Sequence, residues 1–154
     1  MKKIYITLYK ANWCGYCRKF DPDWKKIQSI LKSGEIKNKL DSEQVEVIFD
    51  EYEDTANRDV MLKNNISSYP TIKVSIIDGD NKKTFDLESQ DRELNKFINS
   101  ALEPLSASLK NIIKSKLNNP NQSGGYFSHV KPDLKYYHKY LKYKSKYLDL
   151  KNKL

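Results

Sequence analysis

Apolar and polar positions alternate at the start of the chain, with Ile4, Ile6 and Leu8 on one side of an extended stretch. That period of two predicts a strand over Ile4–Tyr9. From about Cys14 to Lys32 the period changes. Cys17, Phe20, Trp24, Ile27, Ile30 and Leu31 recur at helical spacing. Pro22 falls inside that helix and predicts a bend, because proline has no N–H and crowds the preceding turn. The segment "KSGEIKNKLDSEQ" is polar and predicts a surface loop. Val45–Phe49 predicts a buried strand, and "DTANRDVMLKNN" a helix capped by Asp54 or Thr55.

Thr71–Ile77 predicts a strong strand, Asp78–Asn81 a hairpin turn carrying the Asp-Gly signal, and Lys83–Leu87 the returning strand. "DRELNKFINSAL" closes the series as a helix with Leu94, Phe97, Ile98 and Leu102 on one face. The order β-α-β-α-β-β-α implies an α/β domain, a sheet with helices on both faces, over residues 1–103. "LSASLKNIIKSKL" adds a short helix and Asn118–Gly125 is a linker by composition, so residues 104–130 join the domain to the remaining segment, 131–154.

That last segment changes the charge picture. The chain carries a formal +8, and from Lys131 onward eight lysines stand against two aspartates, so +6 of it lies in the tail and the domain is close to neutral. Tyr136, Tyr140, Tyr143, Tyr147, Leu150 and Leu154 are spaced alternately four and three apart, the seam of a helix that packs on another helix. The plainer expectation is a helix folded back on its own domain. Self-association or a partner helix is the second, and lysines on phosphates with tyrosines stacked on bases the third. The regular seam favours a helix over nucleic acid as the partner.

A chain of 154 residues can bury a core without disulfides or metals. Its start has a basic residue pair, but the apolar run contains Thr7 and ends at Lys10 without a small-residue cleavage site, unlike a secretory signal. No stretch approaches the roughly 20 apolar residues of a membrane span. The expected location is therefore cytoplasmic rather than secreted, where a Cys-x-x-Cys pair leans towards catalysis or metal binding.

The two cysteines, Cys14 and Cys17, sit in "NWCGYCRKF". As a staple they would close too small a loop to constrain the unfolded chain much. A zinc site needs four ligands, and the chain has no second cysteine pair; His129 and His138 lie beyond the linker or in it. A pair that cycles between dithiol and disulfide is left as the strongest reading.

The strand, the Trp13-Cys14-Gly15-Tyr16-Cys17 turn and a helix containing Pro22 together resemble the thioredoxin-fold oxidoreductases. Tyr69-Pro70-Thr71 stands where that family has its cis-proline loop, and "FDPDW" and "YPTIK" are especially similar to catalytic domains of protein disulfide isomerases. The resemblance, which covers about the first 103 residues, implies a thioredoxin fold, to which the seam adds a C-terminal helical tail, with no cofactor and with protein thiols and disulfides as partners. It implies Cys14 as nucleophile at a helix N-terminus, where free N–H groups and the helix dipole favour the thiolate. Cys17, expected to be the more shielded, would resolve the mixed disulfide. Trp13, Tyr16, Tyr69 and Pro70 would contact substrate, with Tyr69 offering its backbone to an extended segment. Read plainly, Trp13 and Tyr69 are ordinary core aromatics.

The sequence departs from the family at Leu8, where a buried acid is usual, and among Phe49, Asp50 and Glu51, where the facing lysine falls. Asp50 or Glu51 could take over as proton acceptor. "TLYKANWCGYCRKF" also resembles the opening of glutaredoxins, which makes a glutathione-dependent enzyme the alternative, although Gly15 replaces their usual proline and "DLESQD" their Gly-Gly. A scaffold that only binds partners is a further alternative. The "KYLKYKSKYL" ending resembles C-terminal tails on proteins of giant amoeba viruses of the mimivirus kind, which implies an address or packaging tag and a place in a virion.

Overall fold

The computed structural model describes residues 1–87 and 93–119, together with Lys146 and Lys151. The tail seam, both histidines and most of the linker lie outside the described residues. The chain divides into two units, Met1–Asn118 and Asn119–Leu154.

The first unit is built on four strands: β1 (Lys2–Lys10), β2 (Val45–Glu53), β3 (Thr71–Asp78) and β4 (Asn81–Asp86). Their order across the sheet is β2-β1-β3-β4; β1 runs parallel to β2 and antiparallel to β3, and β3 antiparallel to β4. Helices lie on both sides of this mixed sheet. The register explains why it holds. Ile4, Ile6 and Leu8 pair with Ile76, Val74 and Ile72, all on one face and all nearly inaccessible to water. Val47 and Phe49 extend the same face across β2. A slip of one residue would turn this entire apolar set outward.

Helix α1 (Gly15–Lys32) covers that face with the residues its periodicity singled out: Cys17, Phe20, Trp24, Ile27, Ile30 and Leu31 are buried. Pro22 sits within it, and Trp24 meets Phe49 edge-on at 5.2 Å between centroids. The Asp-Gly turn joins β3 to β4, with Gly79 at φ +60 in its first central position, where a two-residue hairpin turn wants glycine. The remaining helices are α2 (Gly34–Ser42), α3 (Arg58–Lys63), α4 (Leu94–Ala101) and α5 (Ala107–Asn118). Among the described residues no helix is long and apolar enough to cross a membrane.

Three expectations need correction. The polar segment after Lys32 is not a surface loop: it forms α2, separated from α1 only by Ser33, whose hydroxyl and N–H both return to the Ile30 carbonyl. Two apolar residues four apart suffice, since Ile36 and Leu40 are buried in the main core. Second, α3 is not capped by Asp54 or Thr55 but starts after Asn57, and the Asp54 carboxylate is engaged by other side chains. Third, the compact unit does not end at 103. Leu105, Leu109, Ile113 and Leu117 are buried in the same core as the sheet, and Lys116 reaches Glu35 on α2 at 2.7 Å.

Because Ile36 is fully buried, Ile36→Ala should destabilise the protein by about 2–5 kcal/mol, the range for deleting a core aliphatic side chain. Urea unfolding checks this. A change of under about 0.5 kcal/mol would be the behaviour of an exposed loop position instead.

Candidate active site

The chain leaves the central strand at Lys10 and turns through Ala11–Trp13 before α1 begins. The Cys14 N–H bonds to the Ala11 carbonyl at 3.1 Å, which closes the turn. Cys14 is then the N-cap of α1, with extended backbone (φ −80, ψ 114), and its sulfur accepts the Cys17 N–H at 3.1 Å. An N-cap is usually an oxygen of Ser, Thr, Asp or Asn that satisfies one of the free N–H groups of the first turn. Here the sulfur does so, which places it where the helix dipole favours negative charge.

Both cysteines are buried. Cys14 is 5% and Cys17 7% exposed, so the expectation that Cys17 is the more shielded of the two does not hold. Ala11, Cys14 and Cys17 form a small apolar cluster of their own, with Tyr69 packed on it. The cover over Cys14 is therefore local, from the motif turn and the Tyr69 loop.

Residues 69–70 reach the cysteines from the start of β3. The Tyr69–Pro70 bond is cis, as expected. The Cys14 thiol donates to the Tyr69 carbonyl at 3.5 Å, and Pro70 is buried. Trp13 stands edge-on to Tyr69 at 5.8 Å between ring centroids. Neither is a core aromatic: Tyr69 is half-buried and Trp13 is 68% exposed. Tyr16 is 74% exposed, with the Lys19 ammonium 5.8 Å from its ring centre. The structure thus brings Trp13, Cys14, Cys17, Tyr69 and Pro70 together around one sulfur, with Tyr16 on the outer surface of the first helical turn.

Sequence reasoning missed the carboxylates that hold this constellation. Glu53, the last residue of β2, accepts from the Asn12 N–H at 3.2 Å with one oxygen and from the Ala56 N–H at 3.0 Å with the other. Asp54 follows, its own N–H bonded to the Lys10 carbonyl at 2.9 Å. Its side chain accepts from the Tyr69 hydroxyl at 2.8 Å and from Arg58 at 2.6 Å. The Tyr69 hydroxyl, then the Arg58 guanidinium, and more weakly the Trp13 indole hold the Asp54 carboxyl below the usual range. Burial, with Asp54 beside it, pushes the Tyr69 phenol up. In the sequence both acids belong to the run "DEYED", which looks like a solvated charge run; only their place at a strand end would have marked them.

Leu8, where the family has a buried acid, is 2% exposed and belongs to the main core. The charges gather further along. Lys10 binds Glu51 at 2.9 Å and reaches Asp21 at 4.0 Å, and Asp21 binds Lys25 at 2.6 Å. Glu51 is therefore paired with a lysine on β1, while Asp50 stands opposite Thr7. Among the described residues no group of three His, Cys, Asp or Glu side chains could hold a metal ion.

A mixed sheet, a dithiol pair at the start of its first long helix and a cis-proline loop facing the first cysteine define the thioredoxin-fold class. The family model described as Thioredoxin matches residues 1–100, and the chain belongs to that family. Human protein disulfide-isomerase A6 is 25% identical over 125 residues, covering 81% of this chain and 24% of that protein. Protein disulfide-isomerase of Ricinus communis is 32% identical over 74 residues, covering 46% and 13%. The chain thus spans a quarter or less of the length of these relatives. Among solved structures, crystal form I of ERdj5 superposes with a TM-score of 0.50 at 18% identity, over 68% of this chain and 13% of that one, and shares the fold.

The Ala56 N–H, followed by the Asn12 N–H and Thr55, holds the Glu53 carboxyl below its ordinary range against the opposing pull of burial. A depressed folded-state value means this contribution is fully present above the unfolded value of about 4.3 and is lost as pH falls through the folded one. Glu53→Ala should therefore be less stable than the wild type at pH 7, with the gap closing as the medium is acidified below about pH 4. Denaturant midpoints measured across that range check it; a gap independent of pH would assign the loss to packing.

Proposed function

We propose that the protein is a thiol–disulfide oxidoreductase acting on protein disulfides through Cys14 and Cys17. The observation that carries this reading is the Cys14 sulfur as N-cap of α1, 3.1 Å from the Cys17 N–H. The Cys14 thiolate attacks one sulfur of a substrate disulfide; a Cys14–substrate bond forms as the substrate S–S bond breaks, and the departing thiolate takes a proton from solvent. Cys17 then loses its proton and attacks the Cys14 sulfur. The second substrate thiol leaves, the substrate is reduced by two electrons, and Cys14–Cys17 is left as a disulfide for an external dithiol to reset.

Trp13 and Tyr16, both exposed, give an apolar rim for the substrate chain. The relatives are protein disulfide isomerases by name, which supports protein disulfides over the glutathione chemistry of the glutaredoxin alternative. Both cysteines are present and adjoin, which a scaffold without turnover has no use for.

Cys14→Ser should abolish reduction of insulin disulfides, and Cys17→Ser should accumulate mixed disulfides through Cys14, visible on non-reducing gels. Alkylation of the reduced protein that reaches Cys17 first would overturn the assignment.

The segment beyond the linker is proposed to serve addressing or partner capture apart from the reaction; the resemblance of its ending to tails of giant amoeba virus proteins supports a place in a virion. Its separation from Met1–Asn118 as a unit supports that division. Deleting residues 126–154 should leave insulin reduction within about twofold of the full chain, as for independent parts. Loss of activity or folding in the truncated protein would make the tail part of the catalytic unit.

A further inference from the structure

One carboxylate backs the pair of aromatic rings beside the reactive sulfur. Asp54 is buried, with its side chain 12% exposed, and its Oδ1 atom receives the Tyr69 hydroxyl at 2.8 Å and Arg58 Nη1 at 2.6 Å. The Trp13 indole lies near enough to help, weakly, to hold its carboxyl low. Trp13 and Tyr69 also touch one another, ring edge to ring face. Trp13 is bonded in sequence to Cys14, and the main-chain carbonyl of Tyr69 accepts from the Cys14 thiol. The two rings come from segments 55 residues or more apart; the carboxylate holds the Tyr69 hydroxyl, and the Tyr69 ring in turn packs on Trp13. Its own backbone is anchored to the end of the central strand through the Lys10 carbonyl.

From this geometry we infer that Asp54 is a positioning residue for the exchange reaction. It fixes the Tyr69 ring, and through that ring the Trp13 indole, so that the groove over the Cys14 sulfur is already formed when a protein disulfide arrives. The inference rests on the thiol–disulfide reading above and adds to it the residue that shapes the substrate groove.

Arg58 has a distinct part. Its side chain is 67% exposed, so it contributes little burial, and its charge keeps the Asp54 oxygen ionised and aimed at the donors. A hydroxyl bonded to a charged acceptor is worth more than one bonded to a neutral group. With Tyr69 held by the carboxylate and Trp13 packed edge-on against its ring, the groove walls move together rather than separately. Such pre-organisation lowers the cost of ordering the site when a long substrate binds. A small disulfide that needs only the sulfur gains nothing from it.

The expected signature is a split between KM and kcat. Asp54→Ala should raise KM for a protein disulfide about tenfold, the scale of one lost hydrogen bond to a charged group, with kcat within about twofold. Its reaction with a small aromatic disulfide should stay within about twofold of the wild type. Tyr69→Phe keeps the ring, removes only the hydroxyl and guards against a fold defect in the first variant; it should raise KM in the same direction. The double variant should be no worse than Asp54→Ala alone, because both remove the same interaction. Arg58→Ala should give a smaller rise in KM. An unchanged KM in Asp54→Ala, or effects of Asp54→Ala and Tyr69→Phe that multiply, would overturn the positioning role while the wild type still reduces protein disulfides. A wild type no faster than Cys14→Ser would instead sink the oxidoreductase reading, and this inference with it. Activity lost on protein and small disulfides alike, in proportion to the unfolded fraction, would show Asp54 to be structural only.

Discussion

The site depends on α1 beginning at a sulfur atom. The Cys17 N–H has to be satisfied at the helix start, and the Cys14 sulfur satisfies it at 3.1 Å. One hydrogen bond therefore fixes the reactive atom, aligns it with the helix dipole and sets Cys17 one turn away. The rest of the unit keeps that helix start in place. Phe20, Trp24 and Ile27 press α1 onto the sheet, and the Ala11 carbonyl ties the turn to the end of β1. Were α1 to shift along the sheet, the sulfur would leave the Tyr69 carbonyl 3.5 Å away that faces it.

How much of this can be read from sequence depends on how many residues carry each signal. The strands and α1 announce themselves because β1 repeats its apolar side three times and α1 six times. The dithiol turn and the proline loop are legible as motifs because their residue types are specific. Helix α2 is hidden because nine residues hold only two buried ones, Ile36 and Leu40, among charges. Ser33 before it and Gly34 at its start look like a loop and instead reset the chain for a second helix. Helix α5 was visible as a helix, but nothing in "ASLKNIIKSKLN" shows that its apolar side meets the sheet core. Burial against a distant element is a tertiary fact, and it extends the compact unit past the expected boundary.

Glu53 and Asp54 show the same limit at the site. Successive residues at the end of a strand point to opposite sides. One carboxylate thus reaches the Asn12 backbone while its neighbour reaches Tyr69, and the motif turn is held from two directions. Neither contact leaves a local pattern, since the side-chain partners of Asp54 lie on α3 and before β3. The helix-cap role expected of Asp54 was a reasonable use for an acid before a helix. It lost to partners that only the fold supplies. Arg58, four residues on, is the one partner within local reach.

Leu8 sets the polarity of the ground under the dithiol pair. It pairs with Ile72 on one side and Glu51 on the other, at the point where the sheet passes from a dry interior to charge. A carboxylate at Leu8 would have to ionise among apolar side chains, which is costly without partners. The chain instead collects its carboxylates two residues further along, where Lys10 lies between Glu51 and Asp21 and each of the three side chains is roughly one-third exposed to water. Asp21 follows Cys17 by one helical turn on the same face of α1. Beneath the cysteines the protein is therefore apolar, and acid–base capacity is displaced to a hydrated edge. That arrangement gives the Cys14 sulfur a dry, well-packed seat beside Ala11, Cys17 and Tyr69.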